Sequence, residues 1–196
     1  LPDGVEIRAE GCGSEHFDKV FIASHSDQAL AMLADASSAE REVLGDIAYQ
    51  ENEAVLHTDT SLMPRRRRAW ASWNYNIPGD GGARDGLVTL TYNMNILQGL
   101  DARTQYCVTL NNTAAIDPTK IIRTIRYEHP VFTGRAVAAQ ERHREIDGDR
   151  HTYFCGAYWR YGFHEDGVVS AIDALRHFED DCKENGHEER DLRRIA

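Results

Sequence analysis

The chain has 196 residues, 41% of them hydrophobic, enough for one domain or one and a half around a buried core. Its net charge of −10 argues against nucleic acid or an anionic membrane as a main partner, because both reward a basic surface. Cys12, Cys107, Cys155 and Cys182 are scattered without a CxxC pair, which indicates a reduced, cytoplasmic protein. No apolar run reaches the length of a transmembrane helix, so no stable membrane anchor is expected, and the N-terminus carries no signal-peptide pattern.

In chain order, residues 4–10 alternate apolar and polar (Val5, Ile7, Ala9), as a half-buried strand does. After the Gly11–Ser14 turn, the continuous run Val20–Ala23 predicts a strand buried on both faces. Helices are expected over Asp27–Ala34 and over 38–46, the second capped by Ser37 or Ser38. The centre changes character. Ala54–Thr58, Ala69–Asn76, Leu87–Asn93, Tyr106–Leu110 and Lys120–Tyr127 are short β-branched or aromatic segments separated by turn residues, the pattern of an antiparallel sheet. The loop Pro78–Gly82 would join two of its strands. A helix over 134–146, a short strand over Thr152–Cys155 and a helix over 165–179 follow, the last with Val168, Val169, Ile172 and Leu175 inward. From Glu179 onward the chain reads as a charged tail. The fold class is therefore mixed α+β or α/β.

The chemistry concentrates in residues 153–171, YFCGAYWRYGFHEDGVVSA. A buried strand runs into Gly156, an aromatic loop follows (Tyr158, Trp159, Tyr161, Phe163), and a helix starts near Glu165–Gly167. That order sets a helix N-terminus beside the strand's carboxyl end, where free N–H groups and the helix dipole favour an anion or an electron-rich ring. Gly156, Gly162 and Gly167 allow close backbone approach, and aromatics can wall a flat ring system. Without further information a plain packing turn explains the pattern equally well.

This segment resembles the C-terminal flavin-binding segment of the FAD-dependent amine oxidase-like family. The pattern is carried by Phe154, Gly156, Gly162, Phe163, Glu165, Gly167 and Ser170. FDKVFIASHSDQALAML, VLHTDTSLMPRRRRAWASWNY and YCVTLN are similar to a bacterial branch of that superfamily described as NAD/FAD-binding proteins, and the likeness extends to about residue 178. The resemblance implies an FAD-dependent oxidoreductase acting on a small-molecule substrate. It also implies a layout: residues 1–36 as the middle piece of an FAD-binding domain, 37–149 as a substrate domain, 150–178 as the closing FAD-binding strand–loop–helix, and 179–196 as a tail. Gly156, Ala157, Tyr158, Gly162, Phe163, His164, Glu165, Asp166, Gly167 and Ser170 would lie near FAD, with Phe163 as a ring over the substrate face.

The chain departs from the family in three places. The G-x-G-x-x-G fingerprint is absent, since Gly11-Cys12-Gly13 precedes a strand rather than a helix. We therefore expect a C-terminal portion of a longer protein that binds FAD weakly or not at all by itself. Ala157 stands where many relatives carry an acid. Amine oxidases often use a lysine near the flavin, and none of Lys19, Lys120 and Lys183 is suitably placed, so oxidoreductase is a safer description than amine oxidase.

Other clusters have competing readings. Arg65–Arg68 could bind an anion or form a solvated turn, and the turn is preferred. Trp70, Trp73 and Tyr75 could line a substrate cavity but are read as core. His57, Asp59 and His164 offer metal-ligand types without convincing spacing, and a metal-dependent enzyme using them is the runner-up; Asp166 is read instead as satisfying N–H groups at the helix start. A non-catalytic binding module is the third reading. Asn111-Asn112-Thr113 is taken as a turn, and Cys155 as a buried thiol.

Overall fold

A computed structural model of the protein describes residues 3–75 and 87–184. In chain order these form β1 (Val5–Arg8), β2 (Ser14–Phe17), β3 (Val20–Ala23), α1 (Ser26–Met32), α2 (Ser38–Gly45), β4 (Tyr49–His57), β5 (Trp73–Tyr75), β6 (Leu90–Asn93), α3 (Met94–Gln98), β7 (Cys107–Leu110), β8 (Ile121–Pro130), α4 (Gly134–Gln140), α5 (His143–Ile146), β9 (Thr152–Cys155) and α6 (His164–Glu184). They divide into two units, one of Leu1–Tyr49 with Pro130–Ala196 and one of Gln50–His129. The boundaries therefore fall at 49/50 and 129/130. Residues 37–49 and 130–149 belong with the chain's two ends rather than with the central sheet, because α2, α4 and α5 bury Val43, Leu44, Ala136, Ala139 and Ile146 in one core with Phe154.

In the first unit β3 and β9 pair in parallel, from Val20 opposite Thr152 to Ala23 opposite Cys155. All four residues of β9 are buried. One side of it packs on the core just named. On the other, Tyr153 and Cys155 pack with Ala174, Phe178 and Cys182 of α6. The expected two-faced burial of β3 does not hold, since Phe21 and Ala23 are exposed. Among the described residues β9 is its one strand partner. Phe21 still stacks on Tyr153 with ring centroids 4.8 Å apart. At Phe154 two side chains stand in for a neighbouring strand: Asp147 Oδ1 accepts the N–H at 2.8 Å, and His143 Nε2 lies 2.6 Å from the carbonyl oxygen.

The helices differ from expectation in face and length. Ser37 caps α2 through a reciprocal pair, its Oγ accepting from Glu40 N–H and Glu40 accepting from Ser37 N–H. The helix anticipated over 134–146 breaks at Glu141–Arg142 into α4 and α5, which turns His143 toward Phe154. On α6 the inward residues are Ser170, Ala174, Phe178 and Cys182. Val168, Ile172 and Leu175 instead face outward, 55%, 43% and 50% exposed. The small side chains of Ser170 and Ala174 bring the helix close to β9, and Ser170 Oγ accepts Gly156 N–H at 2.9 Å. The helix continues through residues 179–184, where a charged tail was expected.

The second unit is a five-stranded sheet in the order β5-β6-β7-β4-β8. Antiparallel pairing of β5 with β6, expected around the Pro78–Gly82 loop, is present, while that loop lies outside the described residues. The sheet buries a polar row: His57, Thr91, Asn93 and Thr109 are each at most 1% exposed. Thr109 Oγ1 links His57 Nε2 (2.8 Å) to Thr91 Oγ1 (2.9 Å), while Asn93 donates to Gln105 and accepts from Ile96 N–H. Short α3, ended by Gly99 at φ 63°, was not anticipated. Trp73 and Tyr75 are 50% and 61% exposed rather than core. No helix among the described residues is long and apolar enough to cross a membrane.

Candidate functional site

The site grows from the end of β9. At Gly156 a Cβ would lie 2.4 Å from the Tyr158 ring and 3.0 Å from the Ser24 carbonyl oxygen, so any larger residue here must displace its neighbours. A single helical turn over Ala157–Trp159 follows, and Gly162, at φ +87°, returns the chain to Ala157 through an N–H to carbonyl bond of 3.1 Å. Gln140 Nε2 donates to the carbonyls of Tyr158 and Arg160, both at 2.7 Å, and holds this loop from α4. Helix α6 then starts, and Asp166 Oδ2 accepts Phe163 N–H at 2.9 Å. This is the N-terminal role expected of Asp166.

The ten residues named from the sequence lie on this one loop and helix start, in different situations. Tyr158, 3% exposed, turns its ring into the core, and burial pushes its hydroxyl pKa well above the ordinary value. Asp166 and Ser170 spend their side chains on the helix start and on Gly156. Gly156, Ala157 and Gly167 are half-buried, and Gly162, Phe163, His164 and Glu165 are exposed. Gly167 faces Ala157, whose Cβ and N would be the nearest atoms to an added Cβ at 4.0 Å. The first turn of α6 thus lies against Ala157, and the helix's positive dipole end lies at this place. Phe163, 53% exposed, and Tyr161, 78% exposed, border it.

These features fit one end of a flat, electron-rich cofactor: glycine backbone, a helix N-terminus and aromatic edges. They do not include a phosphate cradle. Gly11 and Gly13 belong to the turn between antiparallel β1 and β2 rather than to a strand–helix junction.

Two comparisons find nothing: no protein-family model matches the chain, and no curated protein does. Solved structures do match. A candidate protoporphyrinogen oxidase from Exiguobacterium sp. 255-15 aligns over 89% of this chain at TM-score 0.53 and 15% identity. A CLA-producing fatty acid isomerase from P. acnes aligns over 90% at TM-score 0.55 and 16% identity. The chain therefore shares a fold with part of each of these two proteins. This chain spans 45% of the length of each.

The remaining clusters resolve differently. His57 is committed within its own sheet: its Nδ1 accepts Asp59 N–H at 3.1 Å and its Nε2 meets Thr109, while burial lowers its pKa against the opposing charge of Asp59. Asp59 accepts from the N–H groups of Ser61 and Asp117 and from Lys120 Nζ. His164 belongs to the other unit, so the metal set His57, Asp59 and His164 is not gathered in either. Arg65–Arg68 stay exposed, with the Arg67 guanidinium 5.3 Å above the Trp70 ring, as the solvated-turn reading has it. Asn111 is a turn residue at φ 54° whose side chain bonds Glu53 N–H, Asn52 and Val88. Cys155 is buried, and burial raises its thiol pKa. The sequence reading missed a further cluster, His143, Asp147 and His177. Its one local signal is the four-residue spacing from His143 to Asp147.

Proposed function

We propose that this chain supplies the flavin-facing, C-terminal part of an FAD-dependent oxidoreductase site, with the phosphate-binding part of the fold provided by another segment. The single observation that carries the reading is the junction itself. A parallel strand pair ends in a glycine whose Cβ would meet the Tyr158 ring, and the loop beyond it sets Ala157 against Gly167 in the first turn of α6. Residues 1–36 and 150–178 would hold the cofactor, and the antiparallel sheet would shape the small-molecule substrate site.

FAD, when bound, supplies the hydride and electron chemistry. The chain's residues would position it. The N–H groups opening α6, at His164 and Glu165, favour negative charge on a ring edge. Gly162 and Gly167 let backbone approach, Phe163 shields the substrate face from water, and Asp166 and Ser170 keep the loop in shape. None of this chain's three lysines is assigned a part. Lys19 Nζ lies 2.9 Å from His151, Lys120 pairs with Asp59 and Lys183 with Asp180.

The test is flavin absorbance of the full-length gene product beside its Gly167→Leu variant. Flavin bands are expected in the parent and a loss of at least about tenfold in affinity in the variant, with unchanged circular dichroism. Absence of bands even with added FAD overturns the reading. Residues 1–196 alone should bind FAD weakly; full occupancy by that piece would overturn the half-site description.

A further inference from the structure

We propose that His143, Asp147 and His177 form a site for one divalent transition-metal ion, independent of the flavin reading. His143 Nε2 lies 3.0 Å from Asp147 Oδ2, and His177 Nδ1 lies 2.8 Å from the same oxygen. The three donor atoms all fall within 4.8 Å of one another. They come from α5, from the residue that ends it, and from α6, so the fold gathers them. Two imidazoles and a carboxylate are a donor set for first-row divalent ions. The Phe154 carbonyl oxygen, 2.6 Å from His143 Nε2, is a fourth donor within reach.

The ligands are oriented before any ion arrives. Asp147 Oδ1 is held by Phe154 N–H at 2.8 Å, which turns Oδ2 toward the imidazoles. The His143 ring stacks on Trp159, with centroids 3.9 Å apart. Outer contacts of this kind set ligand geometry in metal sites. Donors spaced 2.8 and 3.0 Å apart, each about 2.1 Å from a shared ion, subtend angles near ~90°. His143 and His177 also line a surface cleft of about 420 Å³ with Arg160 and Asp173, which gives an ion a route to the two imidazoles.

Ion binding needs nitrogen lone pairs where the ion-free chain directs N–H groups, at His143 toward Phe154 O and at His177 toward Asp147. The imidazole protons must therefore move to the opposite ring nitrogens, His143 Nδ1 and His177 Nε2.

The test is calorimetric titration of the 196-residue chain with nickel and zinc chloride. One ion per chain is expected, weakened more than about tenfold in His177→Gln and in His143→Gln, and unchanged in His16→Gln, an exposed control. Because His143 is buried, the half-exposed His177 carries the variant test if His143→Gln fails to fold. Nitrogen NMR of the unmodified chain reads the tautomers directly, and both should switch on zinc addition. Absence of binding, affinity unchanged in His177→Gln, or tautomers unmoved by saturating zinc would each overturn the site and leave a hydrogen-bonded clamp.

Discussion

At Gly156 one missing methyl group decides how the chain leaves β9. Gly156→Ala must displace the Tyr158 ring or the Ser24 carbonyl, and we expect a loss of about 1–3 kcal/mol in urea unfolding. Ser170→Ala leaves Gly156 N–H without its acceptor and should cost a similar ~1–3 kcal/mol. The sequence marked both residues, but for ligand approach; that Gly156 makes room for a tyrosine ring depends on a contact no local pattern encodes. At Asp59 burial opposes ionisation, but the N–H groups of Asp117 and Ser61 and the Lys120 ammonium outweigh it and hold the carboxyl pKa well below its ordinary value. A depressed folded-state pKa stabilises the fold fully above the unfolded value of about 3.9, and that stability is lost as pH falls from there through the folded value. Asp59→Asn should therefore flatten the unfolding free energy against pH below about 4. The thiols give a simpler check. Cys12 is exposed and the other three cysteines are buried, with Cys107 pushed up to about 11 by burial and by Asp59. A thiol reagent should modify one cysteine quickly and the rest after denaturation.

Among the elements, α6 shows where apolar content misleads. Val168, Ile172 and Leu175 look like a buried stripe, yet the helix seats itself through Ser170, Ala174, Phe178 and Cys182. Small residues are chosen where a helix must lie close to a strand, and composition alone ranks them below valine and leucine. Ile172→Lys and Leu175→Lys should each change stability by no more than about 0.5 kcal/mol. Ala174→Leu, at 0% exposure, should cost about 1–3 kcal/mol by overpacking. Unfolding curves that reversed this order would show the helix rotated from the face described. The strands were more legible. β9 and the β5–β6 pairing lie where β-branched and aromatic runs are bounded by turn residues, whereas α3, five residues long, is too short to show a helical period.

For the whole molecule, the alternation of strand–helix, sheet and strand–helix segments was visible in the sequence, but the boundaries were not. Residues 37–49 and 130–149 hold helices that complete the core around Phe154, a long-range fact that periodicity cannot report. The His143–Asp147–His177 cluster was hidden for the same reason, since His177 stands on another helix. The first unit nevertheless meets itself where the sheet departs: Val131 N–H donates to the Ala48 carbonyl at 2.8 Å. Replacing residues 50–129 with a short glycine–serine linker should therefore leave that unit folded. Retained hydrogen-exchange protection of the Tyr153 and Phe154 amides would show this, and their loss would show that the unit depends on the sheet.

The second unit closes on itself in the same way, with Asn52 Nδ2 3.0 Å from His129 Nδ1. This has a kinetic consequence. The pairing of β3 with β9 brings Val20 to Thr152, across a loop of roughly 130 residues, which is slow to close. If the sheet folds first, its joined ends shorten that loop to roughly 50 residues and lower the closure cost by about 0.8 kcal/mol. The inserted sheet would then act as a folding staple, and substitutions that weaken it would slow formation of a strand pair in a unit they do not touch.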